Sequence, residues 1–271
     1  MSTLLLRLAA PLQAWGINSK FDIRKTEREP SKSGVIGLLA AALGRRRDES
    51  LDDLIALKFG VRCDKEGKLL RDYQTTFEEE NVKKVKIKKI YYKNAITDYK
   101  LEGTEYRYKN SMMKGTDHTR LIIRYYLADA IFLVGLESQD ETFLKTLDQA
   151  LQAPVFPLFL GRRSCPPTLP LSLGIRQTDL LTALQEEPWQ VSQWEQERIK
   201  RKHDSYTMRI VTDALEQEAY PVYQKDLPES FNPMFRKYGY RMVKEHKPFQ
   251  VTFQNAEDRF HTEHDPMKEL R

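Results

Sequence analysis

The sequence predicts an α+β fold: a ferredoxin-like (RRM-like) domain carrying an inserted thumb, followed by a smaller C-terminal subdomain of mainly strands with some helix. Three observations predict it. Strand-like and helix-like segments alternate as β-α-β on either side of one interruption. The helix-like segments carry apolar residues at helical spacing, so they need a sheet to cover them. The interruption, residues 77–117, has little apolar periodicity and much charge. Two helices on one face of a small antiparallel sheet make the ferredoxin-like arrangement. The expected division is 1–76 with 118–173 for the first domain, 77–117 for the thumb, 174–250 for the subdomain and 251–271 for a polar tail.

The elements follow in order. Thr3 to Ala9 reads as a buried strand that Pro11 stops, and a polar loop runs from Gln13 to Glu29. Val35, Leu38, Leu39, Ala42 and Leu43 recur at helical spacing. Pro30-Ser31 opens this helix with Ser31 or Ser33 as cap, and Gly44 closes it. Leu54 to Arg62 reads as a helix end plus a strand, and Leu69 to Thr76 as a second extended segment. Beyond the thumb, Ile122 to Leu136 is β-branched and aromatic, which predicts a strand pair or one long bent strand. Ser138-x-x-Glu141 reads as a capping box before a helix with Phe143, Leu144, Leu147 and Leu151 on one face. Val155 to Leu160 is expected as a strand leading into Gly161. Helices are expected at Asp179–Leu184 and Val191–Lys202, and strands at Met208–Val211 and Pro221–Gln224.

Composition narrows the function. The 271 residues are 40% hydrophobic, which supports a folded core and excludes a disordered chain. The net charge of +5 and the pI near 9.0 point to an anionic partner. The leucine-rich start is interrupted by Arg7 and preceded by no basic region, so it reads as a strand and not a signal peptide. No stretch approaches a membrane-spanning length, and a cytoplasmic protein without membrane association is expected. Cys63 and Cys165 match no metal-ligand spacing. No metal and no cofactor are expected.

Three features suit a nucleic acid. Between Lys83 and Lys114 stand ten cations, among them Lys86, Lys88, Arg107 and Lys109, against Asp98, Glu102 and Glu105 alone. Tyr91, Tyr92, Tyr99, Tyr106 and Tyr108 are interleaved with them. Cations bind phosphates with counterion release, and aromatic faces stack bases. The second feature is Gly161-Arg162-Arg163-Ser164-Cys165-Pro166-Pro167. A glycine admits close backbone approach, and two arginines supply bidentate phosphate donors. The third is Ser31-Lys32-Ser33-Gly34, whose helix N-terminus offers free N–H groups to an anion. It is not a P-loop, because Gly34-x-x-Gly37 lacks the required length and the Lys-Ser/Thr pair.

Catalytic constellations are poor. His261-x-x-His264-Asp265 lies in the polar tail and lacks a fixed partner. His118 near Lys114 fits an RNA contact, and it is also the one arrangement suited to metal-free RNA cleavage.

Several stretches are similar to the CasD family, the handle-binding subunit of the type I-E CRISPR complex Cascade. They are Leu6-Arg-Leu-Ala-Ala-Pro-Leu-Gln-Ala-Trp-Gly, Pro30-Ser-Lys-Ser-Gly-Val-Ile-Gly-Leu-Leu-Ala-Ala-Ala-Leu-Gly, Arg71-Asp-Tyr-Gln-Thr, Tyr126-Leu-Ala-Asp-Ala and Leu160-Gly-Arg-Arg-Ser-Cys-Pro. Leu227-Pro-Glu-Ser-Phe-Asn-Pro and Tyr238-Gly-Tyr-Arg resemble the family's C-terminal part. The resemblance implies a repeat-associated RNA-binding (RAMP) fold with a protruding thumb. It implies a hetero-oligomeric complex, in which the chain hooks the 5′ handle of crRNA and caps the filament of CasC backbone subunits. It also implies contact with the large subunit CasA, and a thumb lying near target DNA. The family does not cut RNA in this subtype, where CasE makes that cut. On this basis the expected RNA-binding set is Gln13, Trp15, Ser31, Lys32, Ser33, Arg45, Arg46, Lys86, Lys88, Arg107, Lys109, Gly161, Arg162, Arg163, Ser164 and Cys165, with no catalytic residue. The alternative is an endoribonuclease processing pre-crRNA through Lys114 and His118, as the equivalent subunit does in a subtype lacking CasE. A third class is a general single-strand RNA-binding protein acting alone.

Overall fold

A computed structural model of the chain describes residues 1–16, 22–77, 100–101, 104–105, 119–214, 221–232 and 234–252. Its elements run β1 (Ser2–Ala9), β2 (Leu12–Gln13), β3 (Ile23–Arg24), α1 (Lys32–Ala42), α2 (Asp52–Ile55), β4 (Lys58–Lys65) and β5 (Lys68–Phe77). There follow β6 (Lys100–Leu101), β7 (Thr104–Glu105), β8 (Thr119–Ala128), β9 (Ile131–Ser138), α3 (Glu141–Gln152), β10 (Ser172–Arg176), α4 (Leu180–Glu186) and α5 (Gln193–Lys200). The last are β11 (Ser205–Asp213), β12 (Val222–Ser230), β13 (Lys237–Glu245) and β14 (Phe249–Thr252). The chain is an α+β protein.

The main sheet has the order β10-β1-β9-β4-β11-β13-β12, with β14 also on β11, and its pairings are antiparallel. β1 reads as a leucine-rich run, broken only by Arg7, because both its faces are buried. Leu4, Leu6 and Leu8 join Phe59, Phe132 and Val134 in the larger core, with Leu39 of α1 and Leu144 of α3. Leu5 and Leu133 face the other way, against Leu180 and Leu184 of α4.

In a second sheet β2 and β3 pair with parts of β8, and β5 pairs along its whole length on the other side. β5 and β8 pair in continuous register from Lys68↔Ala128 to Phe77↔Thr119. They lead from the β4 and β9 ends toward the segment expected as a thumb. Most of that segment lies outside the described residues, including Lys86, Lys88, Arg107, Lys109, Lys114 and the five tyrosines, and so does His118 just after it. So does the tail beyond residue 252. Among the described residues no helix is long and apolar enough to cross a membrane.

Caps follow the chemistry of helix ends, with one change. Ser31 Oγ accepts from Gly34 N–H at 3.2 Å, as expected. Gly44, at φ +77°, closes α1, where its N–H donates to Ala41 O and that of Arg45 to Ala40 O. The expected Ser138 capping box is corrected: Asp140 is the N-cap of α3 and accepts from Phe143 N–H at 3.0 Å. Ser138 Oγ accepts from Asp140 N–H, so it orders the residue that does the capping.

Two other expectations change. Val155–Leu160 is not a strand. Pro154 and Pro157 remove donors that a ladder needs. Instead Val155 and Phe156 donate to Ala42 O and Ala41 O, satisfying the free carbonyls at the end of α1. The strand that completes this half is β10, paired with β1 from Thr3↔Arg176 to Leu6↔Ser172. Residues 174–250 do not stand apart from this sheet. β10 and β11 both add to it, β11 pairing β4 from Arg209↔Cys63 to Thr212↔Gly60.

Candidate nucleic-acid interface

Small residues on one side of α1 leave a hollow, because glycine and alanine do not fill the space a larger side chain would. Gly34, Gly37, Ala40 and Ala41 line a cleft of about 970 Å³. Its rims come from distant parts of the chain. Arg45, Arg46 and Arg47 stand at the end of α1, Phe156, Phe159, Gly161 and Arg163 on one wall, and Phe231, Arg236 and Tyr238 on the other. Among the described residues no carboxylate lines it. Arg45 is held by Asp53 in a bidentate pair and by Ser50 O at 3.0 Å. The side chains of Arg46, Arg47, Arg163 and Arg236 have no carboxylate partner among the described residues. Four uncompensated guanidinium groups around one hollow make a local positive field suited to an anion.

The Gly161 wall is built by backbone. Gly161 sits at φ +87°, and a Cβ there would lie 1.7 Å from Ala14 O. Ala14 N–H donates to Leu160 O at 3.1 Å, and Leu160 N–H to Cys165 O at 2.8 Å. The two arginines after Gly161 part company. Arg163 reaches the cleft. Arg162 donates to Tyr125 O, Arg24 O and Lys25 O, and its guanidinium lies 4.8 Å over the Tyr126 ring. It fastens residues 24–25 to β8, and of the two arginines only Arg163 lines the cleft. Ser164 is exposed and lies 3.5 Å from Tyr126 Oη, whereas Cys165 is buried, which raises its thiol pKa. Burial pushes the Tyr126 phenol up, but hydrogen bonds from Ser164, Arg162 and Arg124 more than offset it and leave its pKa lowered.

Other expected contacts prove to be supports. Gln13 is fully buried: its amide donates to Leu8 O and Ala130 O and accepts from Trp15 Nε1. Trp15 is almost entirely buried, with its ring under Gly34. Lys32 is 5% exposed, and its ammonium donates to Leu57 O and to Asp213, each at 2.8 Å. The helix N-terminus expected to take a phosphate already holds a carboxylate. Lys32 N–H donates to Asp226 Oδ2 at 2.7 Å, while the buried Ser31 holds Gly34 N–H. Of that group Ser31, Ser33 and Gly34 border the cleft, and Lys32 does not.

Gly34 and Gly37 respond oppositely to a methyl group. At Gly34 a Cβ would meet the Trp15 ring at 2.8 Å and Ser31 Oγ at 3.0 Å, whereas at Gly37 it would touch Phe231 at an ordinary 3.6 Å. Gly37→Ala is therefore expected to stabilise by ~0.5–1 kcal/mol through helix propensity. Gly34→Ala is expected to destabilise, and denaturant midpoints of the two variants check the contrast.

The family described as CRISPR-associated protein (Cas_Cas5) matches residues 3–244. The chain belongs to this Cas5 family. The "CRISPR system Cascade subunit CasD" of Escherichia coli (strain K12) is 34% identical over 216 residues, covering 77% of this chain and 87% of the relative. A solved chain described as "CRISPR RNA-guided surveillance complex" superposes with a TM-score of 0.65 at 30% identity, covering 92% of this chain and 91% of that one. A second, "Crystal structure of Cas protein", gives 0.60 at 33% identity over 91% of this chain and 94% of that one.

In this Cas5 chain the opposite wall escaped sequence reasoning. Phe231, Arg236 and Tyr238 belong to the β12–β13 hairpin, about 200 residues after α1 in the chain. The available signal was an Asn-Pro turn followed by Phe235-Arg236.

Proposed function

We propose that this Cas5 chain is a non-catalytic subunit of a type I-E CRISPR surveillance complex. It binds the 5′ handle of crRNA and caps the backbone filament, supporting crRNA-guided recognition of DNA in antiviral defence. The observation that carries this reading is the cleft along α1, ringed by Arg46, Arg47, Arg163 and Arg236 and, among the described residues, free of carboxylates. Handle phosphates meet these guanidinium groups, while the glycine floor lets the backbone strand approach closely. The fold supports the reading. The succession β1-α1-β4-β9-α3-β10, with the order β10-β1-β9-β4, is the βαββαβ pattern of a ferredoxin-like RNA-binding domain. On this reading residues 77–117 are the thumb, which touches crRNA, target DNA or the neighbouring CasC subunit. CasA is a further partner, and the assembly is cytoplasmic.

Salt dependence tests the cleft. Each lost phosphate contact should lower the slope of log affinity against log salt by about 0.7 for a single strand. Arg46→Ala/Arg47→Ala and Arg163→Ala/Arg236→Ala should each lower it by roughly 1.4, with folding intact. An unchanged slope and affinity in both pairs would remove the cleft from RNA binding. Incubating repeat RNA with the purified chain without metal tests the non-catalytic part. Intact RNA is expected; a 2′,3′-cyclic phosphate product that disappears in His118→Ala would overturn it.

A further inference from the structure

Beyond the cleft wall, the β12–β13 hairpin presents two large apolar side chains to solvent. Met234 is 82% exposed and Phe235 is 77% exposed. Such a pair at a turn normally carries a cost without a benefit, unless something covers it.

The turn is held in place. Ser230 Oγ accepts from Asn232 N–H at 3.2 Å, Asn232 Oδ1 from Met234 N–H at 3.0 Å, and Asn232 O from Phe235 N–H at 3.1 Å. At its base, Phe231 rests against α1 beside Gly37. Lys237 is paired with Glu229 at 2.5 Å, so Arg236 is the cation this turn leaves without a carboxylate. The residues on either side of the tip, Phe231 and Arg236, both line the cleft. The tip therefore stands at the rim of the cleft.

We infer that Phe235, with Met234 beside it, is a stacking clamp for an unpaired base of the RNA strand held in the cleft. The inference rests on the proposed function of that cleft. Charge selects the occupant. The apolar pair is followed directly by Arg236, which has no carboxylate partner among the described residues and lines the same cleft as Arg46, Arg47 and Arg163, so the tip adjoins a positive field suited to a polyanion. An aromatic face beside free cations is the pairing that single-stranded nucleic acid takes, base on ring and phosphate on arginine. Asn232 presets the turn, so less ordering is lost when the base docks. Stacking of this kind tolerates any base, so Phe235 adds affinity and register rather than sequence preference.

The test uses the full chain and a short single-stranded RNA with 2-aminopurine placed in turn at each position. Wild type should quench the probe at one position. Phe235→Ala should lose that quenching and bind roughly tenfold more weakly, with the salt slope unchanged. Phe235→Trp should keep both. Because Phe235 is exposed, its variants should unfold at the wild-type midpoint, which excludes a folding defect. Should Phe235→Ala bind and quench like wild type while the Arg46/Arg47 and Arg163/Arg236 variants lose affinity, the clamp is wrong and the cleft stands. If none of these variants changes RNA binding, both readings fall. Loss of association with neighbouring subunits in Phe235→Ala, at unchanged RNA affinity, would make the tip a protein contact and overturn the clamp.

Discussion

Alanine in place of Gly161 should disable the loop that forms one wall of the cleft. The backbone there is left-handed at φ +87°, where an L side chain costs ~1–2 kcal/mol. The larger penalty is contact. The new Cβ would lie 1.7 Å from Ala14 O, a main-chain atom with no rotamer to escape into. Ala14 cannot simply retreat, because its N–H is bonded to Leu160 O and its neighbours Gln13 and Trp15 are locked by buried hydrogen bonds. Together the two effects should cost about 3 kcal/mol or more, at the upper end for a single substitution. RNA affinity should fall as well, since Arg163 moves with the loop. Arg163→Ala is the control: the side chain is exposed, so affinity should drop while the denaturation midpoint stays within about 0.5 kcal/mol of wild type. A Gly161→Ala protein with wild-type stability and affinity would contradict the account of this loop.

Much of the fold could be read from the sequence where the signal was local. β1, α1, β9 and α3 follow from apolar spacing and breakers, and Ser31 and Gly44 mark the ends of α1 as their chemistry predicts. The failures share a cause, which is that a short segment's role was decided by something distant. Val155–Leu160 has the composition of a strand, but the carbonyls at the end of α1 take its donors. Ser172–Arg176 is half-buried and shows no alternation, so nothing in it announces an edge strand of the main sheet. In the site, residue type was legible and direction was not. Arg162 and Arg163 are adjacent, yet after Gly161 one turns inward to three carbonyls and the other faces the cleft. Lys32 looked like a phosphate ligand at a helix start, and only the partner 194 residues away shows that Asp226 already fills that place.

Asp226 should therefore be among the least replaceable residues in the protein. It is 1% exposed and accepts from Lys32 N–H, Arg241 Nε at 2.6 Å and Arg241 Nη2 at 3.0 Å. Asp213 completes the network, bonding Lys32 Nζ at 2.8 Å and Arg241 Nη1 at 2.6 Å. Two cations and two carboxylates thus balance, and they tie the start of α1 to the strands that carry the opposite wall. Asp226→Ala leaves Lys32 and Arg241 to share Asp213, one unpaired charge in a buried site. The expected cost is ~3–5 kcal/mol, read as a shift of the denaturation midpoint. Hydrogen exchange should localise the loosening to β12 and β13, where opening becomes cheaper than global unfolding. RNA affinity should fall with it, since Phe231 and Arg236 lose their anchored position. The decisive comparison is Asp226→Leu/Arg241→Met. Removing both partners leaves Lys32 matched to Asp213, and apolar replacements for a buried pair are often near neutral. The double variant should be more stable than Asp226→Ala alone. If it is less stable, the hydrogen bonds of Arg241 hold the hairpin more strongly than the charge balance does.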